Sequence, residues 1–236
     1  MTNCFAFFDF DHTVIDADAG PLFGSHLFRH QHGSSLRRRI AIVRFIPFAS
    51  WMVLQAGLYK VGARRRSSIV RSAYMALRGF RRDVFETELD NFVASEIPPR
   101  MFPEVLAEMS NHLRAGRRVV ILTTGMETLV RRALPYLPTG VELVGCRLLE
   151  KRGRFTGRVE GPLYGVDKAN ILEAFCRATG VDPAECYAYS DHWSDKQMLE
   201  AVGHPVVVHP RGRLRRLAEE RGWRIMTPDP TSSSDS

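Results

Sequence analysis

An apolar run that ends in two acids constrains the fold of this chain more than any other stretch. Residues 5–15 read Phe-Ala-Phe-Phe-Asp-Phe-Asp-His-Thr-Val-Ile. An apolar, aromatic-rich run of strand length with no polar alternation asks to be covered on both faces, as strands of a parallel sheet are. Unpaired carboxylates are costly to bury, so the strand must end near Asp9. Alternation puts residues i and i+2 on one side, and Asp9 and Asp11 therefore converge just beyond the strand's carboxyl end. Two acids held together there call for a cation, a shared proton, or both.

The rest of the chain supplies the partners of that strand. Ala19 to Ser95 is Arg-rich, broken by Gly33, Pro47, Gly57, Gly62 and Gly79, and has no alternating strand pattern, which predicts an inserted all-helical subdomain. Pro103 opens a helix with Val105, Leu106, Met109 and Leu113 on one face, and Gly116 closes it. Arg117–Thr123 reads as a second buried strand, Glu127–Leu134 as a helix and Val141–Cys146 as a third strand. Arg147–Glu160, with Gly153 and Gly157, predicts an antiparallel hairpin at the sheet edge. A helix over Asp167–Thr179 stopped by Gly180, strands at Cys186–Ser190 and Pro205–Val208, and a helix over Leu214–Arg221 complete the pattern.

Strands alternating with helices predict an α/β fold, a Rossmann-like doubly wound, mainly parallel sheet. The division expected is a core from 1–18 and 96–226, a helical cap over 19–95 and a disordered tail at 227–236. Ligands of such sheets bind beyond the strands' carboxyl ends. Asp9/Asp11, Thr123/Thr124 and Ser190/Asp191 are therefore expected to meet in one cleft.

Charge narrows the partners. With 33 basic and 26 acidic residues the net charge is +7, which favours anionic ligands. The Arg triplets lack the interleaved aromatics of a nucleic-acid surface and read as a solvated face, so no nucleic acid is expected. Ile40–Tyr59 contains the single charge Arg44, but Pro47, Gly57 and flanking basic clusters favour a broken helix hairpin in the cap, with peripheral membrane contact as the other reading. His26, His30 and His32 have helical spacing for a metal, yet no carboxylate or cysteine accompanies them, and a core or solvated role is preferred. The four cysteines are scattered and read as reduced thiols. The absence of a basic-then-apolar leader places the chain in the cytoplasm by expectation. Oligomeric state is not legible.

At the strand ends, a magnesium ion between Asp9 and Asp191 would neutralise a phosphate dianion and set it before Asp9 as nucleophile. Asp11 would then protonate the leaving oxygen and later deprotonate water. Thr123 offers a hydroxyl, and Thr124 and Gly125 offer amides near a helix start, although Thr-Thr-Gly taken alone reads first as a capped turn. Lys168 falls in the first turn of its helix, behind the capping candidate Asp167, where a cation opposes the macrodipole; contact with bound phosphate would offset that cost. Asp191 has no capping role to explain it. Asp195 does, through Ser194 and Gln197, and its other reading is a support for metal-bound water or Lys168. His12 reads equally as a substrate contact and as a turn residue.

Taken together, Phe-Phe-Asp9-Phe-Asp11-His-Thr13-Val-Ile, Val-Ile-Leu-Thr123-Thr-Gly, Gly-Val-Asp-Lys168 and Tyr-Ser-Asp191-His-Trp-Ser-Asp195 resemble, in order and spacing, the haloacid dehalogenase superfamily. The helical insertion after the first motif resembles the cap of its phosphoserine-phosphatase-like branch, subfamily IB. The resemblance implies Asp9 as a nucleophile forming an aspartyl phosphate and Asp11 as acid/base. It further implies Mg²⁺ on Asp9, Asp11, Asp191 and the Phe10 carbonyl, phosphate on Thr123, Thr124, Gly125 and Lys168, and Asp195 and Thr13 as supports. In phosphoserine phosphatases a Glu nine residues after the nucleophile holds the substrate amine; that position is Asp18 here. The function expected is hydrolysis of a small phosphomonoester of the phosphoserine or histidinol-phosphate kind. Alternatives are a lysophospholipid (lysophosphatidic acid) phosphatase, a phosphotransferase, or a phosphate-ligand or nucleic-acid binding module without catalysis.

Overall fold

The opening run becomes the central strand β1, Phe5–Phe8, of a seven-stranded sheet. The structure, a computed structural model, describes residues 4–30, 71, 74–75, 77–162 and 164–229. β1 pairs in parallel with β2 (Arg118–Met126) on one side and β5 (Tyr187–Ser190) on the other. Outward from β2 lie β3 (Glu142–Lys151), parallel, and β4 (Arg154–Glu160), antiparallel. Outward from β5 lie β6 (His204–Val208) and β7 (Arg224–Met226), both parallel. The order is β4-β3-β2-β1-β5-β6-β7, so the chain steps outward from β1 in both directions, and the doubly wound fold is as the alternation predicts.

Each face of β1 anchors its own core. Ala6 and Phe8 pack with Phe23 of α1 (Ala19–His30), Phe85 and Leu89 of α2 (Arg82–Glu96), Val105 of α3 (Pro103–Arg114) and Leu129 of α4 (Glu127–Ala133). Phe5 and Phe7 pack with Leu172 of α5 (Gly165–Thr179), Leu199 of α6 (Lys196–Glu200) and Leu214 of α7 (Gly212–Arg221). Burial of each such side chain contributes roughly 1.5–3 kcal/mol, so the two-sided apolar run is what seats β1 at the centre. Phe8 stacks on Tyr189 at 4.1 Å, and Phe175 meets Phe5 edge-on at 5.7 Å. His26 is buried between Phe23 and Phe92, in the core role preferred for it.

Several boundaries differ from expectation. β2 does not stop at Thr123 but runs to Met126. The third strand and the first arm of the hairpin are one continuous strand, β3. β7 is too short and too exposed to leave an apolar pattern. α5 starts at Gly165, which makes Asp167 the third helical residue: its carboxylate accepts from the Tyr164 amide at 3.0 Å in a capping box. Most of the 19–95 insertion, including Ile40–Tyr59 and His32, lies outside the described residues, as do 230–236 of the tail. Among the described residues no helix is long and apolar enough to cross a membrane.

Candidate active site

Where β1 ends, one further ladder bond, from the Asp9 amide to the Tyr189 carbonyl at 2.9 Å, carries the backbone past the sheet. The chain then folds back on itself. The amides of Val14 (2.9 Å), Thr13 and Ile15 (both 3.3 Å) point at the Phe10 carbonyl, and His12 adopts φ +54°. This turn leaves the two carboxylates projecting from the strand end. The Phe10 carbonyl, named by the resemblance as a metal ligand, accepts from the turn's own amides in this structure. Thr13 is fully buried, and its hydroxyl has no hydrogen-bond partner among the described residues, so it closes the turn through its backbone and does not hold either acid.

Lys168 enters from the opposite side of the cleft. Its ammonium lies 2.7 Å from Asp9 Oδ1 and 2.6 Å from Asp195 Oδ2, with only 1% of the residue exposed. Gly165 makes that reach available. A Cβ at this position would stand 1.6 Å from the Ser194 carbonyl oxygen, so only glycine lets the first turn of α5 lie against the loop after β5. In that loop the Ser190 hydroxyl donates to Asp195 Oδ2 at 2.9 Å and the Ser194 hydroxyl to Oδ1 at 3.2 Å. The Ser194–Gln197 capping box does not form, and the Ser194 amide donates to His192 Nδ1 instead. Asp195 is thereby free to face Lys168.

The electrostatics follow from burial. Burial works against charge on Lys168, but Asp195 and Asp9 hold it firmly protonated. Burial raises Asp195 too, yet the charge and hydrogen bonds of Lys168 outweigh it and keep this carboxyl below its usual range. Asp9 goes the other way: burial, with repulsion from Asp195 and Asp191, lifts it well above a normal carboxylate despite Lys168. Burial pushes Asp191 to about 6. Asp11 is also pushed by burial to about 6, with the Ala19 amide, 3.0 Å from its Oδ1, working against the rise and Asp18 adding to it. At the rim, His12 is raised to about 9, first by its hydrogen bond with Asp18, whose Oδ2 lies 3.4 Å from Nε2.

The phosphate-loop candidates sit in a bulge. β2 pairs with β3 at Leu122↔Val144 and again at Met126↔Cys146, so Thr123, Thr124 and Gly125 bow out opposite Gly145. The Gly125 amide, expected to be an open anion donor, donates to Thr123 Oγ1 at 2.9 Å. Gly125 faces the acids: a Cβ there would lie 3.7 Å from Asp11 Oδ2. Tyr74 was not anticipated; its phenol donates to the Thr124 carbonyl at 3.2 Å. A tyrosine in an Arg-rich helical stretch carries no local signal of that contact.

Among the described residues four carboxylates, Asp9, Asp11, Asp191 and Asp195, thus share one buried cation, Lys168, with the His12–Asp18 pair at the rim. Burial, followed for Asp9 by the neighbouring carboxylates, is what raises Asp9, Asp11 and Asp191. Among the described residues no group of three or more His, Cys, Asp or Glu forms a ready cage. Oxygen-only donors, few of them, fit a hard cation that keeps much of its water, as Mg²⁺ does.

Comparisons with known proteins identify the family. Residues 6–200 match the family model described as haloacid dehalogenase-like hydrolase. An inhibition of morphological differentiation protein from Streptomyces azureus is 33% identical over 228 residues, covering 94% of this chain and 77% of that protein. A phosphoserine phosphatase from Mycobacterium tuberculosis is 30% identical over 227 residues, covering 93% and 69%. A solved structure of phosphoserine phosphatase as a phospho-aspartyl intermediate analogue superposes with a TM-score of 0.67 at 17% identity, over 97% of this chain and 96% of that one. With the residues of its four motifs gathered at the carboxyl edge of a doubly wound sheet and the family model matched over residues 6–200, this chain belongs to the haloacid dehalogenase-like hydrolases, on their phosphoserine-phosphatase-like side.

Proposed function

We propose that the chain is a Mg²⁺-dependent phosphomonoesterase that works through an aspartyl phosphate on Asp9. The observation that carries this reading is the pairing of Lys168 with Asp9 inside a cluster of surplus carboxylates, next to an Asp11 poised at about 6. Mg²⁺ held by the Asp9 and Asp191 carboxylates would supply charge neutralisation for a phosphate dianion. Lys168 fixes Asp9 in place and leaves a third N–H for a phosphoryl oxygen. Thr123 adds a hydroxyl donor from the bulge. An Asp9 oxygen forms a bond to phosphorus as the bond to the ester oxygen breaks, and protonated Asp11 gives its proton to the departing alkoxide. Asp11, now a carboxylate, takes a proton from water as that water attacks phosphorus; the Asp9–phosphorus bond breaks and phosphate leaves. A pKa near 6 suits both halves, because each protonation state is accessible near neutral pH.

The helices between 19 and 95 form the lid in this proposal, and the substrate is a small phosphorylated metabolite of the phosphoserine or histidinol-phosphate kind. Asp18, half exposed and paired with His12, would exchange that partner for a substrate ammonium. Four buried thiols with no disulfide among them suit a reducing compartment, and the cytoplasm is the setting proposed.

The test is phosphate release from 4-nitrophenyl phosphate. Activity is expected with Mg²⁺, lost on chelation, and lowered roughly a thousandfold or more by Asp9→Asn. Turnover that survives Asp9→Asn removes the covalent mechanism. A screen of phosphoserine, histidinol phosphate and lysophosphatidic acid then separates the substrate classes, and preference for the lipid overturns the small-metabolite reading.

A further inference from the structure

We infer that Tyr74, from the segment that precedes α2, is a positioning residue that sets the Thr123 hydroxyl for phosphate binding. This rests on the phosphate-binding reading of Thr123 given above.

The bulge has lost its ladder partners on β3 between Leu122 and Met126, so something else must orient its peptide groups. The Thr124 carbonyl and the Gly125 amide belong to one rigid peptide plane. Tyr74 holds the oxygen end of that plane at 3.2 Å, and Thr123 Oγ1 accepts from its N–H end at 2.9 Å. Fixing the plane therefore fixes the acceptor side of the Thr123 hydroxyl, and its hydrogen is left to point toward an incoming phosphoryl oxygen. The path runs from Tyr74 to the plane and from the plane to Thr123.

Tyr74 is itself well fixed. It is 7% exposed and part of the sheet's larger core, with its phenol against the Cys146 thiol, whose Sγ lies 2.7 Å from the Pro162 carbonyl. Burial keeps the phenol protonated and hence a donor. The described backbone that follows it is held against the hairpin. Gly157 of β4, at φ +78°, stands so close that a Cβ would lie 3.1 Å from Met75 Cα, and the Gly79 amide donates to the Phe155 carbonyl at 2.8 Å. The Phe155 amide answers to Phe80 at 3.0 Å. A side chain held this firmly, spending its donor on a backbone carbonyl next to the catalytic acids, is placed to impose geometry on the loop.

The experiment compares the full-length wild type with Tyr74→Phe, Thr123→Val and the double variant, all with Mg²⁺. Orthophosphate affinity is measured by calorimetry, KM and kcat with 4-nitrophenyl phosphate, and Tm in parallel. Tyr74→Phe keeps the ring and is expected to weaken orthophosphate binding and raise KM about fivefold, the scale of one net hydrogen bond, with Tm changed by only a few degrees. In the Thr123→Val background the same change is expected to have no effect on binding, because the hydroxyl through which Tyr74 acts is gone. Unchanged phosphate affinity in Tyr74→Phe overturns the inference, as does a lowered Tm with normal affinity or a full additive loss in the double variant. If the wild type binds orthophosphate but releases none from the ester, the hydrolase reading fails while the affinities still decide the role of Tyr74.

Discussion

Tyr189 and Ser190 are neighbours in β5 and belong to two buried polar networks of opposite character. Ser190 faces the cleft, where it donates to Asp195 beside Lys168, Asp9 and Asp191. Tyr189 faces the other core, where its hydroxyl lies 2.8 Å from His112 Nε2 and donates to Glu108 at 2.9 Å. Glu108 in turn receives two bonds from Arg224, at 2.7 and 3.1 Å. In this second network the charges close. The Arg224 hydrogen bonds hold Glu108 below its usual range, while burial and then the charge of Arg117 push His112 down to about 4 and keep it neutral. In the first network the carboxylates outnumber the cation and three of them are raised. A balanced network binds β7 to the sheet and rests there. Among the described residues the first network has an excess of carboxylates, and that excess is what supports the proposed phosphate and metal site.

The sharpest way to break this contrast is Lys168→Met. It strips from Asp9 and Asp195 the buried ammonium that both contact, and an uncompensated buried charge costs roughly 3–5 kcal/mol. Denaturant unfolding is expected to show a loss of that size together with abolished turnover; a stable, inactive variant would mean that Lys168 serves substrate alone.

The closed network should answer to pH in the opposite sense from the raised carboxyls of the cleft, which hold more protons folded than unfolded and so cost stability as pH rises. His112 is neutral in the folded protein down to about 4, whereas unfolded it takes up a proton near 6.5. Between those values the unfolded state binds more protons, so stability is full above about 6.5 and declines as pH falls toward 4. With allowance for solvent screening the decline attributable to His112 is about 2 kcal/mol, to be read as the difference between wild type and His112→Phe in unfolding curves across that range. A difference that does not change with pH would show that His112 is already charged in the fold.

The smallest effect sharpens the contrast most. Tyr189→Phe removes a hydroxyl that His112 and Glu108 share, and a loss of about 1–2 kcal/mol in stability is expected with kcat/KM altered less than twofold. A marked fall in kcat/KM at unchanged Tm would join the two networks into one.

The sequence carried the architecture because β1 is buried on both faces and its neighbours repeat the pattern. Asp9, Asp11 and Asp191 stood out because an acid after a buried strand has no local excuse. Lys168 stood out because it opposes its own helix dipole. What stayed hidden depends on contacts distant in the chain. The Phe10 carbonyl serves a turn whose shape hinges on His12 at positive φ. The β2 bulge is a register difference between two strands, and neither strand shows it alone. Tyr74 reaches a loop 50 residues away. Asp195 looked like a cap because Ser194 and Gln197 have the right spacing, and only the approach of α5 shows why that cap is given up.

That approach rests on an atom that is missing. The carbonyl of Ser194 occupies the space a methyl group would need at position 165, so the distance between α5 and the loop after β5 is fixed by a hydrogen. The charge order of the cleft is therefore set by a clearance, and one methyl would act as a wedge. Driven in at Gly165, it would tilt the first turn of α5 and carry Lys168 off Asp9 without altering a single titratable group.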